Sequence, residues 1–162
     1  MTAIDLIGPM LTDLLACAQA ELSPVVSHAA VWPGQVAWDS CCDGQVWTRL
    51  LSLESLTLPK LGAKYTDPCG LSWTATVGVG VLRCAATVTD QGELPPDATL
   101  TAEALQVTAD EAALCKAIYC CDVLPFDKLK VVRWDALGPE GGCAGGEWML
   151  TMQVNNYGCQ EP

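Results

Sequence analysis

The chain has 162 residues, 51% of them hydrophobic and 17% charged, a composition expected of one globular domain spanning residues 1–162. Its 19 acidic and 8 basic residues leave a formal net charge of -11, which excludes a face that grips nucleic acid by its phosphates, because such a face needs clustered Lys and Arg. With so few charges the surface must expose apolar or weakly polar area, a condition that favours self-association.

Residues 1–15, MTAIDLIGPMLTDLL, lack the basic start of an export signal and carry Asp5 and Asp13, so no export is expected. Ile4, Ile7, Leu11, Leu14, Leu15, Ala18 and Leu22 recur at helical spacing. They predict an amphipathic helix over residues 3–22, with Thr2 as cap, Asp5 three positions on and Pro9 as a point of kinking. Residues 23–35 read as a proline-containing connector. Residues 45–56, QVWTRLLSLESL, are rich in strand formers and predict a first long strand, and the two prolines and the glycine of residues 58–69 predict a loop.

Trp73, Ala75, Val77, Val79 and Val81 alternate with Thr74, Thr76, Gly78, Gly80 and Leu82, the period of a half-buried strand. Gly78 and Gly80 share a face, where another group can press close to the backbone. The weakly charged run of residues 71–88 is interrupted by Arg83 and these glycines, so no membrane span is expected. Residues 91–97, QGELPPD, form a turn, and TAEAL opens an alanine-rich helix over residues 101–122, capped by Thr101. Residues 129–134 and 147–154 predict two strands flanking a glycine loop, with Trp148, Leu150, Met152 and Val154 on one face. The order helix, strand, strand, helix, strand, strand predicts an α+β fold, a largely antiparallel sheet with two helices packed on one face.

Two stretches invite a chemical reading: WDSCCDGQVW at residues 38–47 and WDALGPEGGCAGGEW at residues 134–148. They are not an internal repeat, because the elements preceding them differ. A phosphate-binding loop needs a lysine and a helix after its glycines, whereas this glycine run ends in Glu147 and opens into a strand. For zinc, Cys115 and Cys120 diverge on a helix; a site assembled from Cys41, Cys42, Cys143 and Cys159 is conceivable, but no spacing demands it. The ten cysteines, without an export signal, are expected to be mostly reduced, small buried side chains. His28 is the only histidine and lies in the connector with no nucleophile motif around it. Carboxylates such as Asp13, Glu21, Asp110 and Glu111 are expected on solvated helix faces. No enzyme activity, cofactor or metal is expected, with a thiol-based metal or redox protein as the distant alternative.

The succession of WDSCCDGQVWTRLLSLE, PCGLSWTATVGVGVLRCAATVTDQGELP, TAEALQVTADEAALCKAI and RWDALGPEGGCAGGEWMLTMQVNN resembles the tail terminator proteins of long-tailed, siphovirus-type phages infecting actinobacteria. The resemblance covers nearly the whole chain. It implies a small α+β subunit of a homo-oligomeric, hexameric ring on the head-proximal end of the tail tube. Such a ring terminates polymerisation of the major tail tube protein and receives the filled head through a stopper or connector protein. It implies a place in the virion neck, reached from the host cytoplasm during assembly, with DNA passing through the lumen without specific binding. Another head-to-tail connector, a stopper or adaptor, is the nearest alternative.

On this view the two loops are corners of an assembly surface, with Gly141, Gly142, Gly145 and Gly146 permitting turns and close packing. Asp39, Asp43, Glu140 and Glu147 flank them and are the first candidates for the lumen, followed by Glu93 and Asp97. These acids either multiply around a ring into a field that holds DNA off the wall, or are solvated carboxylates that keep the free subunit soluble.

Overall fold

The computed structural model describes residues 5–36, 41–55, 72–122, 124 and 128–155. The loop expected at residues 58–69 and the candidate Asp39 lie outside them.

The first helix, α1 (Ile7–Glu21), is shorter at its start than its apolar spacing predicts. Leu6 already has helical dihedrals, and Asp5 before it accepts hydrogen bonds from the amides of Ile7 and Gly8, at 3.0 and 2.9 Å. Asp5 thus satisfies two of the first amides of the helix, the expected cap Thr2 lies outside the described residues, and Pro9 falls in the first turn, where its missing N–H costs least. The expected connector holds a short strand, β1 (His28–Trp32), followed by a 3-10 turn at Cys41–Asp43 and then β2 (Gln45–Ser55). The central strand is β3 (Ser72–Cys84). The second helix, α2 (Asp97–Cys120), starts four residues before Thr101, directly after Pro96, whose carbonyl accepts from the Leu100 amide. The last two strands, β4 (Leu129–Glu140) and β5 (Cys143–Asn155), run straight through the expected glycine loop.

The five strands form one sheet in the order β1-β2-β3-β5-β4, antiparallel except for β1 against β2. The α+β class with two helices stands, and β1 is the added element. Its sequence HAAVW leaves four of five side chains exposed and so shows no alternation. Main-chain pairing holds it: the pairing with β2 is continued by the Ser27 and His28 amides bonding to the carbonyls of Asp43 and Gly44. Among the described residues no helix is long and apolar enough to cross a membrane.

The main core lies between the helices and one face of the sheet. Leu11, Leu14 and Ala18 of α1 and Leu114, Ala117 and Ile118 of α2 close over Val46, Ala75, Val77, Val79 and Val81. Leu150, Met152 and Val154 complete it, with Trp148 packed against them, as their shared face predicts. Two polar groups drawn into this layer find partners, the Thr48 hydroxyl donating to the Leu11 carbonyl at 2.8 Å and Trp148 Nε1 to the Glu111 carbonyl at 3.0 Å. Asp110 is not solvated as expected. It is 1% exposed and takes Arg83 Nε and Nη2 on its two oxygens at 2.6 and 2.9 Å, with Gln106 Nε2 at 3.0 Å. Burial of a charge is tolerable only with such pairing. Glu21 behaves as expected of an exposed pair, accepting from Lys116 Nζ at 2.6 Å; this hydrogen bond, and secondly the carboxylate's charge, raise the Lys116 pKa.

The cysteines depart most from expectation. Six of them form three disulfides, Cys17–Cys121, Cys41–Cys143 and Cys42–Cys84, while Cys115 and Cys120 are free. The adjacent Cys41 and Cys42 each find their own partner. Sequence spacing concealed this because every partner is at least 42 residues away.

Candidate functional site on the second face of the sheet

The face opposite the helices carries a second, smaller core of Cys41, Trp47, Leu82 and Cys143, with Trp32, Val36 and Leu137 against it. The stretch before β2 folds over this face at one end, so the two tryptophan-aspartate stretches meet: Cys41 is bonded to Cys143, and the Cys41 sulfur lies 3.6 Å from the Gly142 carbonyl.

Beside this core lies a buried ion pair. Glu147 Oε1 accepts from Trp47 Nε1 and Arg49 Nε, both at 2.7 Å, and Oε2 accepts from Arg49 Nη2 at 2.6 Å. Arg49 Nη1 donates to the Gly34 carbonyl at 2.9 Å, which anchors the covering segment. The strand period explains the assembly. Trp47 and Arg49 share a face of β2 and stand opposite Gly80 and Gly78 of β3. A Cβ at Gly80 would enter the Trp47 ring, and one at Gly78 the Glu147 carboxylate, so the two glycines leave the space these groups fill. That is the close approach their shared face predicts.

A cavity of about 390 Å³ opens beside Arg49, lined also by Gln35, Val36, Trp47, Leu137, Glu140 and Gly141. Its size lies within the range of small-ligand pockets. Its floor is amphipathic: an indole, two aliphatic side chains and a guanidinium whose charge is already balanced by Glu147. Trp32, in the adjoining core, has a buried Nε1 with no hydrogen-bond partner among the described residues.

Several candidate residues change character here. Glu140 and Gly141 are exposed and line the cavity, and Asp43 is exposed on the 3-10 turn. Glu93 is exposed in the loop before α2, and Asp97 is exposed at its start. Glu147 is only 5% exposed and engaged by Arg49 and Trp47, so it is not a solvated carboxylate. Gly141 and Gly142 form the two-residue tip between Glu140 and Cys143, with φ of 60° and 77°. Positive φ at both positions is what a type I′ hairpin needs and is the reason for glycine there. Gly145 and Gly146 are buried within β5 rather than in a loop. A Cβ at Gly145 would run into the Val81 carbonyl, and one at Gly146 into the Trp134 ring, which stands 5.7 Å from Trp148 between centroids.

Gly145→Ala is therefore expected to cost more stability than Gly146→Ala. At Gly146 the ring can tilt away, although the Asp135 carbonyl, 2.9 Å from the added Cβ, must also shift. At Gly145 the Val81 carbonyl is overlapped far more deeply and cannot move without breaking the ladder. We expect about 1–3 kcal/mol or more for Gly145→Ala and less for Gly146→Ala, read from chemical denaturation midpoints.

Arg49 and Trp47 were not singled out by sequence, nor was Cys84. The signal for the first two was present: Trp47 and Arg49 at alternate positions of one strand, matched by glycines at alternate positions of the next. Compared with known proteins, the chain matches no family model, and no curated protein matches its sequence.

Proposed function

We propose that the chain is a structural ring subunit that caps the head-proximal end of a phage tail tube, ends polymerisation of the tube protein and joins tail to head. Its partners are further copies of itself, most fittingly six to a ring, the major tail tube protein and a stopper or connector protein. DNA passes through the lumen without being bound. The residue stretches quoted above resemble this family, and one structural observation supports the reading furthest: among the described residues the sheet ends in two edges with no further strand.

Among the described residues one edge, β1, has Val31 41% exposed and no strand beyond it, and the other, β4, has Val132 45% exposed and only β5 as neighbour. They lie at opposite ends of the strand order, so the β1 side of one copy can meet the β4 side of the next. A contact between two different patches repeats until the ring closes. Free sheet edges with exposed apolar side chains are surfaces that proteins ordinarily cover.

The test is imaging of assembled particles. The chain should occupy the neck as a ring of several copies, and a single copy, or a position elsewhere in the particle, would reject the proposal. Asp43 and Glu140 provide a second test. In a ring that turns them inward, the pair Asp43→Lys and Glu140→Lys should leave assembly intact and slow or trap DNA during ejection, because the wall becomes attractive. Ejection at the normal rate would assign both residues to the outer surface.

A further inference from the structure

Cys41 and Cys42 are neighbours on the 3-10 turn, and Cys84 and Cys143 are direct register partners across β3 and β5. Opposed residues of an antiparallel pair project to the same face, so the two thiols of the turn meet two thiols already side by side. The structure joins them as Cys41–Cys143 and Cys42–Cys84, with Cα atoms 5.8 and 4.0 Å apart. In this oxidised arrangement no group of three or more His, Cys, Asp or Glu side chains is placed to hold a metal among the described residues.

We propose that in the reduced chain these four thiols form a structural zinc site, with Cys41, Cys42, Cys84 and Cys143 as ligands, and that the two disulfides are its oxidised alternative. The ligand set is the closed four-thiolate type that zinc takes in structural sites. Within each pair, sulfurs bonded at about 2.05 Å must open to about 3.8 Å, the edge of a tetrahedron with arms of about 2.3 Å, by side-chain rotation. The register of Cys84 against Cys143 brings the two pairs side by side.

The surroundings suit a structural metal. Cys41 and Cys143 are buried beneath Trp47 and Leu82, which keep water from one side, while Cys42 and Cys84 are exposed and give the ion a way in. Sequence reasoning already grouped Cys41, Cys42 and Cys143. The fold supplies Cys84 as the fourth, and Cys159 lies outside the described residues. The chemistry balances: each disulfide takes two electrons and two protons from a dithiol reductant, which leaves as its own disulfide, and one Zn²⁺ then displaces the four thiol protons. The proposal stands on the placement of the thiols and not on ring formation.

The experiment uses the full chain, reduced and freed of metal, titrated with Co²⁺ and then Zn²⁺. One equivalent of Co²⁺ should raise the near-ultraviolet thiolate charge-transfer band and the red d–d bands of tetrahedral cobalt, and one equivalent of Zn²⁺ should abolish both. Cys143→Ser should weaken binding beyond the roughly 10–100-fold lost with an outer-shell partner. Changing the free Cys115 and Cys120 to Ser should leave it unaltered. Because Cys143→Ser removes a buried group, the unaltered chain supplies the deciding measurement, alkylation with and without zinc, mapped by mass spectrometry. Zinc-dependent protection confined to Cys41, Cys42, Cys84 and Cys143 supports the site. Reduced thiols that give no cobalt bands, or protection that falls on other cysteines, overturn it.

Discussion

Glu147→Ala is expected to destabilise the protein by about 3–5 kcal/mol, the range for removing one partner of a buried ion pair. The carboxylate takes two donors from Arg49 and one from Trp47, and its side chain is 7% exposed against 18% for Arg49. Its loss strands a largely buried guanidinium and a buried indole N–H, and each unsatisfied group carries its own desolvation cost. It also opens space against Gly78, where the carboxylate now sits. Glu147→Gln keeps an acceptor for Trp47 and should lose less. The double change Arg49→Met with Glu147→Leu should recover the share due to the stranded guanidinium, since a buried pair replaced by apolar side chains of similar size is often neutral, and leave the share due to the unpaired Trp47 N–H. Denaturant unfolding of the three variants measures this. If Glu147→Ala costs under about 1 kcal/mol, the pair is a surface contact in solution rather than a fixed part of the second core.

What the sequence could show of this arrangement divides by the range of the forces involved. The alternation from Trp73 to Leu82 and the shared face of Trp148, Leu150, Met152 and Val154 are legible, because burial on one face writes a period-2 pattern. The helix period of α1 is legible for the same reason. β1 is not, since its exposed side chains carry no pattern and its pairing is made by main-chain atoms. The glycine run was legible as a turn but not as a two-residue one. Gly145 and Gly146 occupy strand positions because the Val81 carbonyl and the Trp134 ring leave no room for a Cβ, a constraint that comes from distant residues. Glu147 and Asp110 look like ordinary surface acids until Arg49 and Arg83 are brought to them from other elements. The candidate site was half legible: the two stretches were picked out, but nothing local shows that Cys41 meets Cys143 across 102 positions.

The oxidised chain with Cys17→Ala and Cys121→Ala is expected to be about 4 kcal/mol less stable than the oxidised parent. This disulfide ties α1 to the residue just after α2, across a separation of 104 residues. On loop entropy alone, a loop of that length would be worth about 4.7 kcal/mol. The Cys41–Cys143 bond already constrains the unfolded chain, so the effective loop is the shorter ring of roughly 46 residues. It runs from Cys17 to Cys41, across that bond, and from Cys143 back to Cys121, which lowers the expectation to about 4 kcal/mol. Native packing adds little to this figure, because α1 and α2 remain joined through the apolar core and the Lys116–Glu21 bond. The two sources separate in one experiment. An entropic effect works through the unfolded state, so the variant's denatured chain should be more expanded and its denaturant dependence steeper. A stability loss with an unchanged slope would instead place the contribution in the folded packing of Cys121, whose sulfur lies 3.8 Å from the Asp13 carbonyl.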